Sequence, residues 1–166
     1  MTTTYNQFTI IKFNINEISG TSVEANAKEA VSLNDTAAHK YVDLGYNVAN
    51  TTYIINYSLL IETVPTTDGT KIELVIVEKK GDDASETVVK PAYTNDKKVW
   101  FNGIHKINLT EETPALKIQF MYKYLEAINA DYSFQPDENV SHITFICSRT
   151  YDQDHYVKMQ LPTASE

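Results

Sequence analysis

Residues 99–128, VWFNGIHKINLTEETPALKIQFMYKYLEAI, constrain the fold more than any other part of this chain. In the first arm the odd positions carry Val99, Phe101, Ile107 and Leu109, and the even positions carry Trp100, Ile104, Lys106 and Asn108. In the second arm Leu116, Ile118, Phe120, Tyr122 and Tyr124 alternate with Lys117, Gln119, Met121 and Lys123. Side chains on a strand point to opposite faces in turn, so each arm reads as a strand with one apolar row. Gly103 interrupts the first row, as at a bulge or a close approach of backbone. The polar segment 110–114 reads as the turn of a hairpin. A helix competes for the second arm, because Leu116, Phe120 and Tyr124 are also four residues apart and Thr110-Glu111-Glu112 could open one. Five consecutive alternations and the aromatic content favour the strand. Burying each apolar side chain of such a row is worth about 1.5–3 kcal/mol, so another row must cover it.

The remaining chain repeats the pattern. In 8–18, Ile11, Phe13 and Ile15 alternate with polar residues, while Phe8 and Ile10 sit on the other parity; the slip between Ile10 and Ile11 suggests a bulge. Strands are expected at 40–49, at 52–64, where Tyr53, Ile55, Tyr57, Leu59 and Ile61 share a face, and at 140–150, where Ile143, Phe145 and Cys147 point inward. The segment 71–79 is apolar on both faces and should lie centrally. Pro91 confines 86–93 to an edge or a strand end. A last strand is expected at 155–161, a turn at 65–69, and an irregular loop at 129–139. One short helix is expected over 22–32, since Thr21 and Glu24 have capping-box spacing and 25–30 is rich in Ala. About nine regularly spaced strands make an all-β antiparallel sandwich, jelly-roll-like or related, forming one domain over 1–166.

Charge narrows the function. The chain carries a net charge of −8, and an acidic surface repels phosphate backbones, so nucleic acid is not an expected partner. Arg149 is the only arginine, and no basic stripe exists. Cys147 stands alone, so no internal disulfide can form. Residues 1–7 lack the apolar core of a signal peptide and no stretch reaches the length of a membrane span. Cytoplasmic synthesis is expected, followed by release through lysis or incorporation in a particle, with no membrane insertion.

Signals for chemistry are sparse. Cys147 and His142 fall on opposite faces of one strand, which disfavours a nucleophile pair. His39, His105, His142 and His155 show no ligand spacing. Asp152 and Asp154 flank a turn and could hold a hard cation such as Ca²⁺, but a solvated hairpin turn is the favoured reading. The five glycines are isolated, so no phosphate loop exists, and no cofactor is expected. Eleven tyrosines and one tryptophan remain. Trp100, Tyr93, Tyr132, Tyr151 and Tyr156 fall at strand ends, in loops or on the less apolar parity. There they could stack on sugar rings or anchor a protein interface. The expected function is that of a non-catalytic structural or assembly protein, a virion, tail, decoration or self-assembling particle component. Its partners would be copies of itself or other subunits. A glycan-binding module is the alternative, and an enzyme is the least supported class.

Overall fold

The computed structural model describes residues 3–64, 71–95 and 97–166, so the turn expected at 65–69 lies outside the described residues. Among these residues thirteen strands form, in chain order β1 (Thr4–Phe13), β2 (Ile18–Gly20), β3 (Lys28–Ala30), β4 (Tyr41–Asn47), β5 (Thr51–Val64), β6 (Ile72–Lys80) and β7 (Asp83–Val89). They continue with β8 (Tyr93–Thr94), β9 (Lys98–Leu109), β10 (Thr113–Tyr124), β11 (Tyr132–Pro136) and β12 (His142–Asp152). One helical turn, α1 (Gln153–Tyr156), precedes β13 (Thr163–Ser165).

The first sheet runs β1-β12-β5-β9, with β8 beside the start of β9 and with β11 and then β2 continuing from the far end of β5. The second runs β13-β4-β10-β6-β7, with β3 also on β10. Every strand pair is antiparallel. Set aside the five short strands, and the eight long ones follow the order first-eighth-third-sixth in one sheet and second-seventh-fourth-fifth in the other. This is the jelly roll, an antiparallel ribbon rolled into two facing sheets. The predicted rows meet between the sheets: Phe145 packs edge-on against Phe13 at 5.7 Å and against Phe120 of the opposite sheet at 6.4 Å.

Five expectations are corrected. The 99–128 segment is two strands but no hairpin, because β9 pairs β5 and β8 whereas β10 pairs β3, β4 and β6. Two arms that each carry an apolar row bury both rows by facing each other across the sandwich, and Phe101 and Tyr122 stack there at 6.4 Å. The helix over 22–32 does not form. Val23, Val31 and Leu33 are buried, and the segment bonds along the upper edge of β10, with Val31 N–H to the Phe120 carbonyl at 2.8 Å and Val23 and Ile128 bonded both ways. Strand hydrogen bonds and burial override a modest helix propensity. The 155–161 strand is replaced by α1 and an irregular passage, and 132–136, expected as loop, is strand. Lastly, β1 has no bulge. Its ten residues pair β12 in unbroken register from Thr4↔Asp152 to Phe13↔Ile143. Phe8 and Ile10 therefore point outward, while Ile11 and Phe13 point inward.

Candidate functional site

Two of the predicted aromatics come together. Tyr93 and Trp100 are directly opposed across β8 and β9, and the Trp100 indole N–H donates to Ser58 Oγ at 3.1 Å. Opposed residues share a face, so both lie on the outward side of the first sheet. Register extends that face across four strands. Ile10, Ile146, Ile54 and Lys106 form one row, Phe8, Ser148, Thr52 and Asn108 the next, and Lys12, Thr144, Asn56 and Ile104 a third. Phe8 is 67% exposed, Ile10 58%, Ile104 69% and Tyr93 54%.

No carboxylate occupies an outward position of these strands except Asp152 and Glu62 at their ends. On a chain with 22 acidic residues that is a strong segregation of charge. Phe8, Ile10, Ile54, Ile104 and Ile146 were not singled out from sequence. Their signal is apolar residues on both parities of one strand, read at 8–11 as a slip in phase.

Tyr151 and Tyr156 meet elsewhere, past the end of the sandwich. Tyr151 stacks on Tyr5 of β1 at 5.7 Å and on Tyr156 of α1 at 5.8 Å, making a ladder of three rings. Tyr5 is 46% and Tyr156 59% exposed. Beside it, His155 is held between two acids, with Nδ1 at 2.6 Å from Asp152 Oδ1 and Nε2 at 3.0 Å from Glu112 Oε1. Its ring lies parallel to Tyr46 at 6.4 Å, and Lys158 Nζ sits 5.4 Å from the centre of that tyrosine.

Hydrogen bonds to Glu112 and then Asp152 raise the His155 pKa above its ordinary 6.5. The His155 backbone N–H, then its ring, hold Asp152 below the usual carboxylate range. Glu112 is lowered by the neighbouring Tyr46 hydroxyl and by His155. Burial and, next, that same carboxylate raise Tyr46.

Asp152 is thus committed. It caps α1 by accepting the His155 N–H at 3.0 Å and also binds the ring. The two acids sit on opposite nitrogens of one imidazole, so they pair with it and do not converge on a shared point. Asp154 is exposed in the first turn of α1. Among the described residues no three His, Cys, Asp or Glu side chains gather so as to hold a metal ion.

Tyr132 is corrected: it is buried in the core, where it cannot present a face to a ligand. Its hydroxyl donates to Glu29 Oε1 while the Tyr124 hydroxyl donates to Glu29 Oε2 at 2.6 Å. Burial, then Glu29, pushes the Tyr132 pKa up to about 12. Cys147 is buried on the inner face and its thiol pKa is raised by that burial, the opposite of what a nucleophile needs. Arg149 is buried as well, with Nε donating to Gln7 Oε1 at 2.5 Å and Nη2 to the Gln160 carbonyl at 3.3 Å.

No family model matches the sequence, and no curated protein matches it. Solved structures do resemble it in outline. A structure of the Gt strain of infectious bursal disease virus aligns at a TM-score of 0.45 with 9% identity, over 96% of this chain and 44% of that one. The VP2 subviral particle of the same virus aligns at 0.42 with 9% identity, over 97% and 45%. Its Gx strain aligns at 0.40 with 12% identity, over 97% and 44%. The chain spans less than half the length of the solved chains it resembles. No helix among the described residues is long and apolar enough to cross a membrane.

Proposed function

We propose that this protein is a non-catalytic structural or assembly component, a subunit or decoration of a virion, tail or self-assembling particle, whose partners are protein subunits. The observation that carries the reading is the outward face of the first sheet. Phe8, Ile10, Ile54, Ile146 and Ile104 are neighbours across β1, β12, β5 and β9, with no carboxylate between the strand ends. A contiguous apolar patch on a protein surface marks an interaction site, and a face whose charged side chains between the strand ends are Lys12 and Lys106, with no carboxylate, is where acidic copies repel one another least. The catalytic ingredients point the other way, since the lone thiol is buried and His155 is locked between two carboxylates. Sedimentation and light scattering from about 1 µM to about 1 mM, the range in which modest interfaces saturate, test it. Mass should rise with concentration. A strict monomer throughout would overturn the reading.

One observation favours a second reading, glycan binding. The Tyr5–Tyr151–Tyr156 ladder presents two exposed rings in parallel, a shape on which sugar rings can stack. A glycan array should then give hits that disappear in Tyr156→Ala, and an empty array would remove the idea.

A further inference from the structure

The two sheets end in edges that differ in one respect. A free strand edge presents unpaired N–H and C=O groups and invites another strand, and proteins blunt it with charges, proline, bulges or short strands. In the second sheet β13 is three residues long, and β7 carries Asp83 and Glu86, the latter held by Lys28 at 2.8 Å. In the first sheet the start of β9 is covered by β8, and Lys98 and Lys106 lie on its outward face. Of these devices β1 has only Lys12, near one end. It runs ten residues without proline, bulge or carboxylate, and no strand pairs its far side among the described residues.

We propose that β1 joins two copies of this chain, edge to edge and antiparallel, so that their first sheets fuse into one. The proposal rests on the assembly reading and names its partner and contact. The faces of a pleated strand alternate, so a two-fold pairing keeps outer with outer only if its axis passes through a residue. An axis through Thr9 sets Phe8 against the second copy's Ile10, Asn6 against Lys12, and Thr9 against itself. Apolar meets apolar, and no like charges are opposed. The outward Phe8 and Ile10 of each copy then form one strip with Ile146 and Ile54 of both. Each chain carries −8, so copies repel almost everywhere. A junction without carboxylates is where that repulsion is least. These features favour a second copy over a foreign strand.

The test uses the full chain as wild type and as two double variants, Phe8→Lys with Ile10→Lys and Phe8→Glu with Ile10→Glu. Both side chains are exposed, so the fold and melting temperature should hold. Analytical ultracentrifugation should show a wild-type dimer and weakening by at least about tenfold in each variant alone, because like charges then face each other. An equimolar mixture of the two variants should recover the dimer. Wild-type association that persists unchanged in both variants overturns the β1 contact and leaves the assembly reading standing. A wild type that stays monomeric overturns both. If a variant fails to fold, amide exchange of the wild type decides: β1 amides should gain protection with concentration, and association without that gain overturns the contact.

Discussion

Gly103 shows how much a single position can hold. It sits on the inner row of β9, where a side chain would be expected, and the Tyr57 ring of β5 occupies that space. A Cβ there would lie 2.6 Å from the Tyr57 hydroxyl oxygen and 3.0 Å from the ring carbon that bears it. Gly103→Ala should therefore destabilise the fold by about 1–3 kcal/mol, as overpacking does. Adding Tyr57→Phe removes the nearest atom and should restore part of the loss; denaturant melts of the single and double variants would show the coupling. His155 makes a prediction in pH. Its folded pKa lies above 6.5, so what it contributes is fully present below that pH and is lost as pH rises through the folded value. Asp152 and Glu112 are lowered, so their contribution holds above their ordinary 3.8 and 4.5 and is lost as pH falls through the folded values. The cluster is intact between those limits. The melting-temperature gap between wild type and His155→Gln should be widest above pH 4.5 and below pH 6.5, and should close toward alkaline pH.

At the scale of elements, the chain's two ends are stitched together by β1 and β12. Thr4 faces Asp152 and Phe13 faces Ile143, so the pairing closes only when nearly the whole sequence has been gathered. Phe13 also supplies a buried ring that packs on Phe145. Deleting residues 1–13 would leave β12 as an edge and open the core around Phe145. The truncated chain should lose its cooperative thermal transition, read by circular dichroism. The β9–β10 pair teaches a related point. Alternation identifies two strands and a turn between them, but an arch and a hairpin have the same alternation. Which one forms depends on whether the two apolar rows bury side by side under a third layer or face each other. Here the two are the opposite walls of the same interior.

For the whole molecule, the sign and placement of charge decide how copies meet. The chain carries 22 acidic residues, and on the outward face of β1, β12, β5 and β9 they occur only as Asp152 and Glu62 at the strand ends. Long-range repulsion between copies should be screened by salt, with a Debye length near 30 Å at about 0.01 M and near 8 Å at about 0.15 M. The apolar contact itself is not weakened by this. Association should thus strengthen as salt rises across that range, seen as a shift in sedimentation. An ion-paired interface would weaken instead.

Period-two rows at 40–49, 52–64, 99–109, 116–124 and 140–150 dictated an all-β sandwich from the residues alone. An apolar face must be covered, and alternation says which face it is. The same local rule placed Pro91 at the margin of the sheets. At Gly103 it expected a bulge or a close approach of backbone, whereas the register with β5 is unbroken and the Tyr57 side chain fills the space. Partnership was beyond it. That β9 and β10 part into different sheets, that 22–32 abandons helix for the rim of β10, and that Tyr132 turns inward to Glu29 all depend on which strand lies alongside. The interaction face arose in the same way, from isoleucines on β12, β5 and β9 that are single outward residues in the chain. They form a surface only because antiparallel register sets them abreast of Phe8 and Ile10. Local pattern records a side chain's direction, whereas its neighbours across a sheet are chosen by contacts between residues far apart in the chain.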